Sequence, residues 1–392
     1  MGRQKWLQEV RMQKFESVLD RVRDRELSQL QAAEVLGMSE RTFRRWRERY
    51  EDEGLVGLFD RRLGKASARR VPVDEIAWLV AQYRTLHKGW TIKHFHDHLR
   101  KHHGFRWSYT WTKTQLHKAG EVKPAPRRGA HRRKRPRRPL IGMLLHQDGS
   151  SHHWLEGHGV LDLIVTLDDA SSEIYSAFLV EEEGTMSSFS GLLEVIAEHG
   201  LPCSFYTDRA SHYFHTVEAG GKVDKTRLTQ VGRALAQLGI EHIPAYSPQA
   251  RGRSERAFAT LQDRLVKELE LAGITTIEDA NRFIAELYLP DHNARFARPP
   301  EQPESAFVPA TLEQVQDILC RQEERTVGND NTVRYRGLCL QIPPSPVRPH
   351  FVKAKVRVHE YPDGSLAVFH GPRRLVSYTA DGTPIGHTQL AA

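Results

Sequence analysis

The chain has 392 residues, enough for two to four domains, and its 39% hydrophobic content is sufficient to build real cores. Its three cysteines are far apart and form no CxxC pair, which gives no support for a disulfide framework or a cysteine zinc site. The N-terminus lacks the apolar stretch of a signal peptide, and no run of about 18 apolar residues could span a membrane. We therefore expect a protein of a reducing compartment without membrane contact.

The net charge of +8 is divided unevenly along the chain. Residues 1–140 carry 34 Lys/Arg and 16 Asp/Glu, whereas residues 141–392 carry 23 Lys/Arg and 33 Asp/Glu. An Arg-rich segment is typical of a nucleic-acid binder. The acidic remainder would repel DNA unless its carboxylates hold cations, so the two parts are expected to do different jobs.

Residues 1–60 predict a helix-turn-helix domain. Gly37 allows a tight turn, Ser39 is a natural N-cap, and Phe43 and Trp46 face inward on the helix that follows. The alternative is an ordinary helical hairpin with a solvated arginine face. The side chains expected to reach DNA are Arg41, Arg44, Arg45 and Arg47.

A second helical unit is predicted over residues 71–123, as a winged helix-turn-helix whose last helix is capped by Ser108. His94, His98 and His102 lie on one helix face at intervals of four residues. That spacing could bind a metal, but no carboxylate or thiol partner is evident. A solvated or phosphate-facing histidine stripe is therefore the favoured interpretation.

Residues 124–139 form a predicted linker, since the stretch 127–138 has eight Lys/Arg in twelve residues and cannot build a core. Such a segment neutralises phosphates and makes DNA binding sensitive to salt. Its composition also allows a nuclear-import signal, but DNA tracking explains the same residues. The DNA contacts expected here are Arg127, Arg128, Arg132, Arg133, Lys134 and Arg135.

Residues 140–300 show three strand patterns, a helix, a strand, a helix, a strand and further helices. This order predicts an α/β core in which helices cover the faces of a mixed sheet. Residues 301–331 predict a helical connector. Residues 332–392 are rich in Val, Tyr and Phe with regular turn signals, which predicts a small β-barrel.

Three acidic residues stand out within the core. Asp148 and Asp208 each close a short apolar run, and Glu255 opens a helix after a loop rich in Pro and Gly. Carboxylates that converge from two strand ends and one helix can hold a pair of divalent cations for chemistry on phosphodiesters. Asp168 and Asp169 also follow a strand, but we expect them to serve a turn.

The motifs around these residues, QDGS, TDRAS and SPQARGRSE, occur in order, with steps of 60 residues from Asp148 to Asp208 and 47 residues to Glu255. This pattern resembles the integrase core of DDE transposases and retroviral integrases. Together with the DDASSEIY and QDRLVKEL segments, it is similar to bacterial insertion-sequence transposases of the ISNCY group. The resemblance covers most of the chain, although the zinc domain of retroviral integrases has no counterpart here.

The resemblance implies an RNase H-like core that binds two Mg²⁺ ions, with Mn²⁺ as a substitute. Asp148 would bridge the ions, and Asp208 and Glu255 would each complete one site. One ion would activate the nucleophile, and the other would stabilise the leaving 3′ oxygen. Candidate phosphate contacts near the scissile bond are Arg209, Arg251, Arg253 and Arg256.

The function expected from this resemblance is transposition. The helix-turn-helix units would bind the terminal inverted repeats of an insertion sequence, and the core would hydrolyse the 3′ ends and join them to target DNA. Partners would be double-stranded DNA and further copies of the chain, as a homodimer or larger assembly, with no small-molecule substrate. We expect a bacterial, cytoplasmic, nucleoid-associated protein.

Two other functions remain open from the sequence. One is a DNA-binding regulator with an inactive core, although such a relic would be free to lose the three carboxylates, and all are present. The other is a structure-specific nuclease, which would not require two helical units ahead of the core.

Overall fold

The structure is a computed structural model that describes residues 3–60, 71–124, 136–216, 221–224, 226–246, 252–344 and 348–385. It divides into two compact units, Met1–Gln82 and Tyr83–Ala392. Within the described ranges, no helix combines the length and the apolar character needed to cross a membrane.

The first unit contains a helix-turn-helix, as predicted. Phe15 and Phe43 are fully buried at its centre, with ring centroids 5.5 Å apart. Gly37 takes the left-handed conformation (φ 64°) that ends the second helix, and the Ser39 hydroxyl accepts from Thr42 N at the start of the third. The helices are α1 (Arg3–Arg23), α2 (Gln29–Leu36) and α3 (Glu40–Glu53).

Three further helices occupy the segment predicted as a second helix-turn-helix. Ser108 caps the last of them, as expected, by accepting from Trp111 N at 3.3 Å. No strand lies between residues 71 and 124 in this part of the chain, so the predicted wing is not seen there. The helices are α4 (Val73–Leu86), α5 (Ile92–His102) and α6 (Tyr109–Lys118).

A five-stranded mixed sheet forms the centre of the second unit, in the order β3-β2-β1-β4-β7. β1 pairs antiparallel with β2 and parallel with β4, and β4 pairs parallel with β7. The predicted α/β core is therefore confirmed. The strands are β1 (Leu145–His152), β2 (Leu161–Asp168), β3 (Ile174–Val180), β4 (Ser204–Thr207) and β7 (Glu241–Pro244), with a small hairpin of β5 (His215–Thr216) and β6 (Val223–Asp224).

Helices cover both faces of this sheet, because alternate strand residues point to opposite sides. Leu145 and Phe205 are buried with the helices on one face, and Val165 with those on the other. The first face carries α7 (Thr185–His199), α8 (Gln230–Gln237) and α12 (Leu312–Ile318). The second carries α9 (Gly252–Leu271), α10 (Ile277–Phe283), a π-helical turn (Ile284–Tyr288) and α11 (Leu289–Phe296).

Two asparagine side chains satisfy the outer edge of β3, where the described residues provide no further strand. Asn293 accepts from Ile174 N at 3.0 Å and donates to Ile174 O at 2.8 Å. Asn281 makes the same pair of bonds to Leu179. Each amide thus replaces one residue of a missing strand, and together they fasten α10 and α11 to the edge.

The segment 301–331, expected to be a helical connector, differs from that prediction. It contains the seven-residue helix α12 and then a strand, β8 (Arg321–Thr326), that pairs antiparallel with β11 (Lys355–Glu360). RQEERT has good helix formers, but pairing with β11 and the Lys355–Glu324 and Arg321–Glu360 ion pairs favour the strand.

The C-terminal region is an all-β module built around Tyr335, Val358 and Tyr378. Its five-stranded antiparallel sheet, in the order β14-β13-β12-β11-β8, shares a core with a two-stranded hairpin. The described residues show no closed barrel, so the predicted barrel is not confirmed. The remaining strands are β9 (Thr332–Tyr335), β10 (Leu338–Gln341), β12 (Leu366–His370), β13 (Arg373–Tyr378) and β14 (Pro384–Ile385).

Asn281→Ala should destabilise the second unit by about 1–3 kcal/mol, because the N–H and C=O of Leu179 would lose their partners at a half-buried edge. Urea denaturation would measure the change. Arg282→Ala, which alters the exposed neighbouring residue, is the matched control. Equal stabilities of the two variants would contradict this role of the edge asparagines.

Candidate active site

Asp148 and Asp208 lie side by side on the sheet. β1 and β4 pair in parallel, with Leu145 opposite Phe205 and His146 opposite Tyr206. Continuing this register by two residues places Asp148 opposite Asp208, on strands spaced by about 4.8 Å. Successive residues of a strand point to opposite faces. Leu145 and Phe205 each lie three residues before one of the aspartates and point to the face covered by α7, α8 and α12. Both carboxylates therefore stand on the other face, which α9 covers.

The setting of Asp148 differs from the prediction. Asp148 was expected at the end of a strand, but it lies within β1, paired with Val165 and only 7% exposed. The polar residues Gly149 to His152 continue the strand because β2 supplies a partner for each of them. Asp208 follows β4 directly, as predicted, and accepts from Ala210 N at 2.8 Å.

Glu255 lies in the first turn of α9, as predicted, and is exposed. Seven residues later on the same flank of this helix, Gln262 donates to Ser150 Oγ at 3.0 Å. Residues seven apart in a helix differ by only about 20° in direction. The flank of α9 that carries Glu255 therefore faces β1, the strand that carries Asp148.

The described residues contain no group of three His, Cys, Asp or Glu side chains arranged to hold one metal ion. The register of β1 and β4 brings Asp148 and Asp208 to neighbouring positions, and Glu255 lies on the flank of α9 that faces β1. The two aspartates offer hard oxygen donors, which suit Mg²⁺. The donor chemistry fits a divalent cation at this pair.

A buried polar network supports the two aspartates from the opposite face of the sheet. The Tyr213 hydroxyl donates to Gln147 Oε1 at 3.0 Å and accepts from Ser188 Oγ at 3.0 Å. Gln147 also donates to Thr166 Oγ1. Gln147 precedes Asp148 and Tyr213 follows Asp208 by five residues, so this network connects the two segments that carry the aspartates.

A further carboxylate, Glu183, was not predicted and lies against Gly149, on the face of β1 opposite Asp148. A Cβ atom at Gly149 would be 2.3 Å from Glu183 Oε2, so a larger residue there would require the Glu183 side chain to move. Burial, followed by the charge of Glu183 and smaller effects of Asp208 and Asp148, raises the pKa of the Tyr213 phenol. Glu183 ends a run of three glutamates, and nothing in the sequence distinguishes it from the other two.

The turn after β2 uses both of its aspartates, and both are fully buried. Asp168 accepts from Gly142 N, Ser171 N and Ser171 Oγ, which is the expected turn role. Asp169 also binds His146 Nε2 at 2.8 Å and the guanidinium of Arg253. These two contacts reach β1 and α9 and were not predicted.

Arg253 is a correction to the predicted phosphate contacts. Its guanidinium binds Asp169 and Pro136 O, and its side chain is only 14% exposed, so the charge is directed inward. Arg209 donates to Gly221 O at 2.7 Å and lies over the Tyr246 ring. Arg256 is exposed.

The other predicted DNA contacts divide into two groups. Arg41, Arg44 and Arg45 are exposed on α3, whereas Arg47 is half-buried. Arg44 and Arg47 each lie 3.6 Å from a glutamate one turn away. Arg251 and the linker residues Arg127, Arg128, Arg132, Arg133, Lys134 and Arg135 lie outside the described residues.

The predicted histidine stripe is only partly exposed, since His94 is buried, His98 is half-buried and His102 is exposed. His94 is buried, stacks on Trp90 and bonds to Glu268 of α9 at 2.7 Å. Burial lowers the pKa of His94. Burial opposes ionisation of Glu268, but the bond from His94 and the neighbouring basic groups together outweigh it and lower that pKa. A neutral imidazole therefore donates to a carboxylate, which contradicts the phosphate-facing interpretation for His94.

Other contacts hold α5 against α9. Thr91 donates to Asp263 at 2.7 Å, and Asp97 pairs with Arg264 at 3.0 Å. α5 is thus fastened to α9, the helix that carries Glu255.

A winged helix-turn-helix family model matches residues 18–77. "Putative transposase y4bF" from Sinorhizobium fredii is 32% identical over 356 residues, covering 90% of this chain and 77% of the relative. "Transposase for insertion sequence IS1202" from Streptococcus pneumoniae is 34% identical over 206 residues, covering 52% of this chain and 43% of the relative.

Solved structures also match, at low similarity. A simian T-cell lymphotropic virus intasome in complex with PP2A regulatory subunit B56 gamma is 18% identical, with a TM-score of 0.34, covering 74% of this chain and 91% of that chain. The HTLV-2 integrase catalytic core in complex with magnesium, in its dimeric form, is 18% identical, with a TM-score of 0.28, covering 38% and 89%. Superpositions this weak carry no argument about the present chain.

A helix-turn-helix unit followed by an α/β core with aspartates at neighbouring strands is the arrangement of a protein of the transposase class. The 32% identity across most of both chains identifies the family. The chain belongs to the transposases, as the sequence motifs predicted.

Tyr213→Phe should cost about 1–3 kcal/mol of stability, because Gln147 Oε1 would stay buried without its donor. Urea denaturation at neutral pH would measure the loss. Tyr246→Phe, at a 54% exposed tyrosine, is the control and should be nearly neutral. A loss no larger than that of the control would contradict the support role of the network.

The stability of the second unit should fall as the pH drops from about 6.5 to about 4. Burial, followed by neighbouring charges, lowers the pKa of His98 and His292 to about 4, whereas an unfolded histidine protonates near pH 6.5. The unfolded chain therefore binds more protons in this window, and acid favours it.

Urea midpoints at a series of pH values would test this dependence. His98→Asn should flatten the slope, whereas His153→Asn, at an exposed position, should not. A stability that is constant between pH 6.5 and 4 would contradict the assignment of neutral, buried histidines.

Proposed function

We propose that this transposase binds the ends of a mobile DNA element, hydrolyses its 3′ ends and joins the resulting 3′-OH groups to target DNA. The observation that supports this most directly is the parallel register of β1 and β4, whose continuation by two residues brings Asp208, directly after β4, opposite Asp148. The flank of α9 that bears Glu255 faces the same strand. Three carboxylates in this setting suit phosphoryl transfer at a DNA strand.

Asp148 and Asp208 would hold a divalent cation, with Glu255 as the third carboxylate and two Mg²⁺ ions as the full complement. Mg²⁺, or Mn²⁺ in its place, would stabilise the charge that develops at phosphorus and on the leaving 3′ oxygen. The chain's own contribution is to fix Asp148 within a buried strand and Asp208 directly after the strand beside it. Rigid strands hold such residues more reproducibly than a long loop would.

The DNA would be bound by parts of the chain that lie ahead of the core. Arg41, Arg44 and Arg45 are exposed on α3, the helix that a helix-turn-helix places in the major groove. The Arg-rich linker would follow the phosphate backbone and make binding sensitive to salt. Because both ends of an element must be brought together, we expect the active form to be a dimer or larger assembly on DNA.

A strand-transfer assay tests this function. Labelled duplexes with the ends of the element that encodes the chain would be incubated with protein, target DNA and Mg²⁺. Asp148→Asn, Asp208→Asn and Glu255→Gln should each reduce 3′-end joining by at least about 100-fold, because each removes a charged ligand for the cations that would stabilise the transition state. End binding, followed by electrophoretic mobility, should be nearly unchanged.

Glu270→Gln is the matched control, since Glu270 is exposed on the same helix but far from the aspartates. It should retain joining activity. If the wild-type protein binds the ends but neither cleaves nor joins them with Mg²⁺ or Mn²⁺, the protein is a DNA-binding regulator instead.

A further inference from the structure

The turn between β2 and β3 carries two neighbouring aspartates, Asp168 and Asp169, that have no part in the proposed chemistry. Both are fully buried, yet their partners differ in kind. Asp168 bonds to Gly142 N and to Ser171, which are contacts that shape the turn itself. Asp169 contacts three separate segments of the core, which a turn does not require.

Asp169 binds β1, α9 and the end of the linker at the same time. Its Oδ1 atom contacts His146 Nε2 at 2.8 Å and the guanidinium of Arg253. Its Oδ2 atom accepts from Arg138 N at 2.8 Å. Arg137 donates to the Asp169 and Ala170 carbonyls, so the final linker residues are fixed to the same turn.

These contacts lie next to the three acidic residues of the proposed active site. His146 is two residues before Asp148 on the same face of β1, and Arg253 is two residues before Glu255 in the first turn of α9. Glu255 is 107 residues from Asp148 along the chain. Asp169 contacts both His146 and Arg253. Its side chain therefore links β1, which carries Asp148, to α9, which carries Glu255.

The charges explain why an aspartate is suited to this position. The N-terminal end of a helix carries partial positive charge, which disfavours a cation such as Arg253 in the first turn. A buried carboxylate at that end offsets both the guanidinium and the helix dipole. Burying such a pair costs desolvation energy, so its main effect is to fix geometry rather than to add stability.

We propose that Asp169 is a positioning residue of the active site, which holds the first turn of α9, and with it Glu255, at a fixed place beside Asp148. This inference rests on the proposed function, since it concerns the placement of the third carboxylate. Asp169 does not contact DNA or metal itself. It acts through Arg253 and His146.

The test compares Asp169→Asn with Asp168→Asn in the full-length protein. Both changes remove a buried charge from the same turn, but only Asp169 contacts α9. The first readout is the rise in the thermal midpoint on titration with Mg²⁺ alone, since a cation that binds the folded state raises it. The second is 3′-end joining as a function of Mg²⁺ concentration.

Asp168→Asn should lower the thermal midpoint without metal but keep the Mg²⁺-dependent rise and the Mg²⁺ requirement of the wild type. Asp169→Asn should lose most of the Mg²⁺-dependent rise, as Glu255→Gln does, and should need at least about tenfold more Mg²⁺ for half-maximal joining. Arg253→Gln keeps Asp169 and its bond to His146, and it should show the same defect. This variant therefore replaces Asp169→Asn as the test if Asp169→Asn does not fold.

Two results would overturn the proposal. Asp169→Asn or Arg253→Gln could retain a wild-type response to Mg²⁺ in both readouts, which would leave Asp169 with a structural role only. Alternatively, the wild-type protein could show neither a Mg²⁺-dependent rise nor joining, which would refute the proposed function and this inference with it. Because the wild type is measured beside the variants, the two failures are distinguishable.

Discussion

The parallel pairing of β1 with β4 is the constraint on which the rest of the core depends. β1 belongs to an antiparallel hairpin with β2 on one side, and on the other side it starts the parallel part of the sheet. Parallel neighbours cannot be joined by a tight turn. From β1 the chain runs through β2 and β3, and α7 then crosses the sheet to β4. The pairing of β1 with β4 brings Asp208 beside Asp148.

The two faces of β1 carry different polar groups with different purposes. On one face, Gln147 enters a buried network with Tyr213 and Ser188, in which the amide and both hydroxyls have partners. Such a network rigidifies a core when it is fully satisfied. On the other face, His146 and Asp148 stand beside the turn of Asp169 and the first turns of α9. The buried network on the first face of β1 thus supports the polar residues on the second.

The attachment of α5 to α9 makes one surface of α5 part of the core. His94, Thr91 and Asp97 make bonds to α9, so this surface of α5 is occupied by the core. The histidine spacing that suggested a metal or a phosphate is explained for His94 by a bond to Glu268. Exposed basic residues remain on both α5 and α6, among them Lys101 and Lys113.

The sequence by itself determined the helix-turn-helix and the order of strands and helices in the core. Local signals decided those features, such as the cap at Ser39 and the apolar runs that precede Asp148 and Asp208. Only the tertiary structure decided that RQEERT forms a strand, that Arg253 points inward, that Asp169 contacts His146 and Arg253, and that Glu183 lies against Gly149. Each of these depends on a partner far away in the chain, and a residue's own neighbours carry no information about which distant group will satisfy it.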